Sequence, residues 1–136
     1  MILTLGILAM SAFGQKPAMP SKVYRFEDMT VRDNGQNKSR AILEGWTAQG
    51  YGLETHMTEL APGLMPHAAH SHAHAEMVMI LEGTLEITIS GKVEKAGAGS
   101  VVYVAPDEHH GWKNVGTTRA RYFIVTLGRE PRNAAR

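Results

Sequence analysis

The sequence predicts an all-β domain, either a sandwich or a barrel of short strands. Short runs rich in β-branched and aromatic residues recur from Gly52 onwards, and turn sequences separate them, for example at 61–63 and 90–91. No stretch of this region shows the apolar spacing of an amphipathic helix. Many short strands with turns between them are typical of sandwiches and barrels.

Five segments are predicted as strands. The segment 53–60 has the pattern of a half-buried strand, 76–81 is a short apolar run, and 84–90 alternates β-branched residues with others. The last two segments, 100–104 and 119–127, are rich in valine and aromatic residues. Glycine follows several of these runs, and it accepts the positive φ that tight hairpin turns require.

The chain is predicted to divide into four parts. Residues 1–14 form a signal peptide that lacks a basic n-region, so the true start lies upstream or the signal is atypical. Residues 15–47 form a linker and an N-terminal arm with one short strand, 48–128 form the barrel, and 129–136 form a flexible tail. We therefore expect an exported protein, periplasmic or secreted. The alternative is a cytoplasmic protein whose first residues pack on the barrel as a strand or helix.

The composition narrows the classes of partner and site. A length of 136 residues favours one domain, and a formal charge of +1 without a cluster of lysine and arginine gives no reason to expect nucleic acid. The first apolar run is too short to span a bilayer, so no membrane segment is expected in the mature form. Cysteine is absent, which excludes disulfides and thiolate metal sites.

Histidine is concentrated in two short segments of the chain. Side chains two apart on an extended strand point to one face, so His70 and His72 are expected to project together, with Cα atoms about 7 Å apart. Glu76 opens the next apolar strand, where a bound cation would remove the cost of burying its carboxylate. His110 can approach from a strand on the far side of a barrel. These four side chains predict a site for one divalent metal ion.

Three imidazoles and one carboxylate leave one or two coordination positions open, as catalytic metal sites require. The set suits Fe(II), Mn(II), Ni(II), Cu(II) or Zn(II), and the sequence does not choose among them. The alternative is a histidine-rich surface tract that binds metal loosely. That interpretation leaves the positions of Glu76 and His110 unexplained.

The first of these segments resembles the first motif of the cupin superfamily, G-x5-H-x-H-x(3,4)-E-x6-G. Six residues rather than five separate the first glycine from the first histidine. The matching residues are Gly63, His70, His72, Glu76 and Gly83.

The second segment resembles the second cupin motif, G-x5-P-x-G-x2-H-x3-N. Gly99, Pro106, His110 and Asn114 occur in the required order, and the spacing of the last two fits the motif as written. Pro106 is displaced by one residue, and Glu108 stands where glycine is usual. The turn before His110 is therefore expected to have a different shape.

The resemblance covers about 52–128 and implies a jelly-roll-like barrel of two antiparallel sheets with the metal in its mouth. It also implies frequent dimerisation, here a homodimer. It implies no single reaction, because cupins include dioxygenases, isomerases, epimerases, decarboxylases and non-catalytic binders.

Three functional hypotheses follow from a cupin with such a site. The favoured one is a metal-dependent enzyme that acts on a small organic molecule and is of the oxygenase or isomerase type. The alternative is a non-catalytic module that binds a small molecule or metal outside the cytoplasm. In a third hypothesis the ion has only a structural role.

Six further residues are candidates for a pocket or for support of the metal ligands: His56, Met57, His74, Tyr103, Trp112 and Asn114. Either His56 or Met57 is expected to face the lumen, although a lone histidine there is more often a satisfied core residue. No catalytic residue is assigned, and only His56 and His74 are candidates for a free general base.

The sequence allows two positions for each of the aromatic and methionine side chains. Trp112 and Tyr103 either line a substrate pocket or pack in the core, and Asn114 is expected to order the turn beside His110. Met77 and Met79 alternate with aliphatic residues along one predicted strand. One of the two sets therefore fills the barrel, and outward methionines would suit a dimer contact or the N-terminal arm.

Overall fold

The computed structural model describes residues 17–128, which form nine strands in two antiparallel sheets. The signal peptide predicted for 1–14 and the tail predicted for 129–136 lie outside the described residues. One short 3-10 helix, Phe26–Asp28, precedes the strands. Within 17–128, no helix has the length and apolar character needed to cross a bilayer. The all-β fold class is confirmed, with two sheets that face each other.

The strands are β1 (Val31–Asp33), β2 (Lys38–Trp46), β3 (Gly52–Leu60), β4 (Ala75–Glu82), β5 (Thr84–Ile89), β6 (Lys92–Gly97), β7 (Val101–Val104), β8 (His110–Asn114) and β9 (Ala120–Leu127). The larger sheet has the order β1-β2-β3-β9-β4-β7, and the smaller has the order β6-β5-β8. The five strands predicted from the sequence correspond to β3, β4, β5, β7 and β9, with ends that differ by one residue at most.

The hydrophobic core lies between the two sheets. Along β9, buried and partly exposed residues alternate, which is the period of two that a strand with one buried face requires. The buried cluster joins β3, β4 and β9 of the larger sheet to β5 and β8 of the smaller one. Its members are Leu60, Val78, Ile80, Leu85, Ile87, Trp112, Ala120, Tyr122 and Ile124.

The N-terminal arm differs from the expectation of a single short strand. Both β1 and β2 pair with the larger sheet, so the sheet extends into the segment assigned to the arm. The sequence of β2 does not show the apolar alternation of a sheet strand, because its only buried residue before Trp46 is Arg40. Arg40 forms an ion pair with Glu59 of β3, and the ring of Phe26 lies 4.4 Å from its guanidinium carbon. This pairing makes a buried charge on the outer sheet face acceptable.

The outer face of β4 carries the methionines and the inner face carries the aliphatic residues. Val78 and Ile80 are buried in the core, whereas Met77 is exposed. The predicted alternation is therefore confirmed. The homodimer that these outward side chains would suit stays a prediction.

Gly83 forms the corner at which the chain leaves one sheet for the other. The sequence suggested a hairpin between the two flanking strands, but β4 and β5 belong to different sheets. Gly83 has a φ of 84°, and a Cβ at this position would lie 2.7 Å from the Cα of Ala120. Gly91, in contrast, closes a true two-residue hairpin between β5 and β6.

We expect Gly83→Ala to lower the free energy of unfolding more than Gly91→Ala. The two glycines have similar φ angles, 84° and 81°, so backbone strain costs each variant about 1–2 kcal/mol. Only at position 83 does the added Cβ meet backbone atoms, and overpacking adds about 1–3 kcal/mol. Urea unfolding of both variants measures the difference. Equal losses would contradict the close approach at Gly83.

Candidate metal centre

The loop between β3 and β4 carries His70 and His72 and is attached to the smaller sheet by backbone hydrogen bonds. The amide of His70 donates to the carbonyl of His110 at 2.9 Å, and the amide of His110 donates back to the carbonyl of His70 at 2.8 Å. The amide of Asp107 donates to the carbonyl of His72 at 2.7 Å. His70 therefore forms a single bridge rather than part of the extended strand that the sequence predicted. The bridge nevertheless brings the two histidine segments together.

The structure brings the four predicted ligands into one cluster, in which His72 and His110 contact Glu76 and group with His70. Glu76 Oε2 lies 3.5 Å from His72 Nε2, and Glu76 Oε1 lies 3.4 Å from His110 Nε2. Ligand nitrogens of His70, His72 and His110 lie within 4.8 Å of one another. In a tetrahedral site with bonds of about 2.1 Å, neighbouring donor atoms are about 3.4 Å apart. The contacts of Glu76 with His72 and His110 have this spacing.

The three imidazoles are held in one tautomer by backbone carbonyls. His110 Nδ1 lies 2.8 Å from the carbonyl oxygen of Glu108, and His72 Nδ1 lies 2.8 Å from that of His74. His70 Nδ1 is 3.4 Å from the carbonyl oxygen of Ala68. Because these contacts require a proton on Nδ1, each Nε2 presents its lone pair, as is usual for histidines that bind metal.

Three buried atoms of this cluster carry lone pairs but have no hydrogen-bond partner among the described residues: His72 Nε2, His110 Nε2 and Glu76 Oε1. Buried polar atoms without a partner are rare, since each costs about 1–3 kcal/mol. A divalent cation would satisfy all three at once. The residues present therefore fit a bound metal ion.

His74 is close to the cluster but is oriented differently. Its ring stacks on that of His72 at 3.7 Å with an interplanar angle of 6°. An imidazole binds a metal in the plane of its ring, and two stacked planes do not meet at a common point. The ring of His70, in contrast, is tilted by 61° from that of His72 and by 47° from that of His110. His74 can still form a second group with His72 and Glu76. The tilted set converges better on one ion, and His74 supports the ring of His72.

The surroundings of His70 favour its neutral imidazole. Burial and the neighbouring His67 lower the pKa of His70 below its ordinary value. A neutral imidazole is the form that binds a metal, because the cation has no lone pair to offer.

A cavity of about 360 Å³ opens beside the cluster. Its inner wall is formed by His56, Thr58, Glu76, Trp112, Tyr122 and Ile124. Its rim is formed by 32–34 and 37–39 of the β1–β2 hairpin and by Pro66 and His67. Cavities of this size with an apolar wall and a few polar groups are typical small-molecule sites.

The structure resolves the choice between His56 and Met57. His56 lines the cavity, whereas Met57 is buried and, as the next residue of β3, points to the opposite face. In the sheet, Met57 lies between Arg40 of β2 and Phe123 of β9, on the face that points away from the cavity. The assignment of Met57 to the pocket is therefore corrected.

Tyr103 is also corrected as a pocket residue of this site. Its side chain is 60% exposed on β7, beside the exposed Met77 of β4. It lines a different surface groove, together with Val101 and residues of β5 and β6. The run of four apolar residues in β7 gave no sign of which face would be buried.

Trp112 and Asn114 are buried on the same strand as His110. Trp112 lines the cavity and also belongs to the core, and its Nε1 donates to the hydroxyl of Tyr122 at 2.9 Å. Asn114 Nδ2 donates to the carbonyls of Leu60 and Thr118, each at 2.8 Å. Its Oδ1 accepts from the amide of Gly116 at 2.9 Å, so Asn114 orders the turn that follows β8.

Two residues of the site were missed by sequence reasoning. Glu54 is buried and contacts His56, and Tyr122 forms part of the cavity wall. Glu54 precedes His56 by two residues on one strand, so the period-two rule could have placed both on one face. For Tyr122, the sequence predicts that alternate residues of β9 share a face, but it does not predict which of the two faces points inward.

Comparisons with known proteins agree with this fold. A protein-family model described as "Cupin domain" matches residues 56–126. No curated protein sequence matches the chain.

Several solved structures share the fold. KdgF from Halomonas sp. superposes with a TM-score of 0.70 at 12% identity, over 82% of this chain and 96% of that chain. An RmlC-like cupin from Shewanella frigidimarina superposes with a TM-score of 0.65 at 21% identity, over 80% of this chain and 93% of that chain. A predicted oxalate decarboxylase from Thermotoga maritima superposes with a TM-score of 0.66 at 20% identity, over 79% of this chain and 100% of that chain. At these identities the similarity concerns the fold.

The alkaline stability of the protein is expected to depend on Tyr122. Burial raises the pKa of Tyr122 to about 12, whereas a tyrosine in the unfolded chain ionises near about 10. Tyr122 keeps its proton to a higher pH in the folded chain than in the unfolded chain. The stability that this difference in pKa contributes is therefore fully present below about pH 10 and is lost as the pH rises towards 12. The maximum slope is about 1.4 kcal/mol per pH unit.

Urea unfolding of the wild type and of Tyr122→Phe between about pH 9 and about pH 12 measures this dependence. The free energy of unfolding of the variant should be lower by the same amount at every pH, because Trp112 loses its hydrogen-bond acceptor. It should also fall less steeply than that of the wild type as the pH rises. Parallel declines would contradict the assignment.

Proposed function

The chain belongs to the cupin family, and we propose that it is a metal-dependent enzyme that acts on a small organic molecule and is of the oxygenase or isomerase type. The observation that carries the proposal is a set of three buried atoms, on His72, His110 and Glu76, that lie close together and have no hydrogen-bond partner within residues 17–128. They lie beside a cavity that is large enough for a small ligand.

His70, His72, Glu76 and His110 would hold one divalent ion, chosen among Fe, Mn, Ni, Cu and Zn. Such an ion supplies Lewis-acid chemistry and, for the redox-active metals, one-electron chemistry at open coordination positions. The likeness in fold to a predicted oxalate decarboxylase is consistent with a small organic acid as substrate.

The residues of the chain itself shape the ligand site. Trp112 and Ile124 give the cavity an apolar wall that excludes water from one side of a bound molecule. The hydroxyls of Thr58 and Tyr122 and the imidazole of His56 offer polar contacts that would orient it.

The first test is elemental analysis of the untagged full chain and of matched histidine variants. We expect about one Fe, Mn, Ni, Cu or Zn per chain in the wild type. His70→Ala and His110→Ala should lose the metal, whereas His109→Ala should retain it because His109 is exposed and its neighbour His110 is not. Thermal unfolding of each variant with and without added metal shows whether the loss concerns the site or the fold.

Two results would count against this function. Absence of stoichiometric metal, or metal that His110→Ala does not remove, would exclude the four-ligand site. A metal-loaded protein that is stabilised by small ligands without any turnover would favour the non-catalytic binding module.

We also propose that the protein is exported, on the basis of the uncharged apolar segment at 1–14. N-terminal sequencing of the protein from fractions of its native cells should find a chain that begins at Gln15 outside the cytoplasm. A cytoplasmic chain that retains Met1 would contradict export.

A further inference from the structure

A second ionisable pair lies inside the barrel, separate from the metal ligands. His56 Nδ1 is 2.8 Å from Oε1 of Glu54, and Thr126 donates to the other carboxylate oxygen at 3.4 Å. Glu54 is only 6% exposed, whereas the side chain of His56 is 33% exposed. A buried carboxylate thus holds an imidazole whose other edge is open.

The open edge of His56 faces the cavity beside the metal ligands. His56 and Glu76 both line this cavity, and Glu54 does not. In the sheet, Glu54 and Glu76 both pair with Thr126 of β9, so β3 and β4 are two strand spacings apart. That distance is about 10 Å between backbones, and a small molecule between the two inward-facing side chains can reach both.

The contact with Glu54 determines which nitrogen of His56 can accept a proton. A carboxylate only accepts hydrogen bonds, so Nδ1 carries the hydrogen and Nε2 carries the lone pair. The hydrogen bonds among residues 17–128 leave Nε2 of His56 without a partner. This arrangement has the elements of a general base: an exposed lone pair, a fixed tautomer and a buried anion that stabilises the imidazolium.

Other ionisable groups of the cavity are less suited to accept a proton. Glu76 belongs to the metal ligand set, and Tyr122 keeps its own proton because burial raises its pKa. At the rim, Asp33 pairs with Lys38 at 3.2 Å. His67 is exposed in the loop, where its Nδ1 lies 3.0 Å from the carbonyl oxygen of Ala68.

We infer that His56 accepts the proton of a ligand that carries an acidic hydroxyl, such as an enol, a phenol or a hydroxamic acid, and that Glu54 is its positioning residue. In this step the O–H bond breaks, its electron pair stays on the ligand oxygen, and the proton bonds to His56 Nε2. The Glu54 carboxylate then neutralises the imidazolium, so no oxidant or further reactant is needed. This inference rests on the proposed metal-dependent function and specifies the class of its substrate.

The test is the number of protons released when acetohydroxamic acid binds to the nickel-loaded full chain at about pH 8. This probe loses one proton when it binds nickel, and at that pH an ordinary imidazole is neutral. Nickel is used because water bound to zinc can already be hydroxide at this pH and would take up the proton of the probe itself. Titration calorimetry in two buffers of different ionisation enthalpy measures the net release. Elemental analysis beforehand establishes that each sample contains one nickel per chain.

We expect a net release close to zero for the wild type, because His56 retains the proton. His56→Gln should release about one proton per bound probe, and Glu54→Gln, which keeps a hydrogen-bond acceptor but removes the charge, should approach the same value. His109→Gln is the matched control, since His109 is exposed and lies outside the cavity lining, and it should behave as the wild type. Nitrogen NMR of the wild type should show His56 as the Nδ1–H tautomer.

Each remaining outcome has a defined meaning. Equal proton release in the wild type and both glutamine variants, or no binding of the probe to the nickel-loaded wild type, would overturn the role of His56 and leave the metal site intact. Failure of the wild type to take up nickel or any other of the proposed metals would count against the proposed function itself, and the role of His56 would be overturned with it.

Discussion

The two backbone hydrogen bonds between His70 and His110 are the constraint on which the site depends. They attach a loop of the larger sheet to β8 of the smaller sheet, and nearby the amide of Asp107 donates to the carbonyl of His72. Two segments that are about forty residues apart in sequence are thus fixed in register by main-chain atoms. The main chain would be preserved if a side chain of the cluster changed, so the geometry of the site does not depend on the metal alone.

The interior of this barrel is apolar at one end and polar at the other. Leu60, Val78 and Ile80 fill the space between the sheets. Further along the same interior, Glu54 and Glu76 of the larger sheet and His110 of the smaller sheet are buried. Burying such polar groups costs free energy unless each has a partner. Backbone carbonyls accept from the Nδ1 atoms of His70, His72 and His110, and the carboxylate of Glu54 accepts from that of His56. The opposite side of each ring faces either the clustered ligand atoms or the cavity. The residual cost at the polar end is what a bound ion or ligand would offset.

The sequence predicts the fold well because turn residues and period-two alternation mark most strands. It predicts the four clustered residues because their spacing matches two motifs and because a carboxylate within an apolar run requires a partner. It does not predict β2, because the residue that this strand buries before Trp46 is an arginine. It does not predict β6 either, because four consecutive residues of that strand are exposed. Glu54 and Tyr103 show a further difficulty: alternation says which residues share a face, but only the assembled sheets decide which face is inside.

The hairpin of β1 and β2 provides much of the rim of the cavity, although it lies outside the motif-bearing segments. Its tip contacts other strands and loops through the bond from Arg119 to the carbonyl of Gln36 and the bond from the amide of Ala61 to Asn37. The turn at this tip can therefore change in sequence while β2 stays paired with β3 and the segments that carry the histidines keep their packing. The entrance of the cavity and the cluster of histidines thus belong to separate segments of the chain, so the shape of the entrance can vary without moving the cluster.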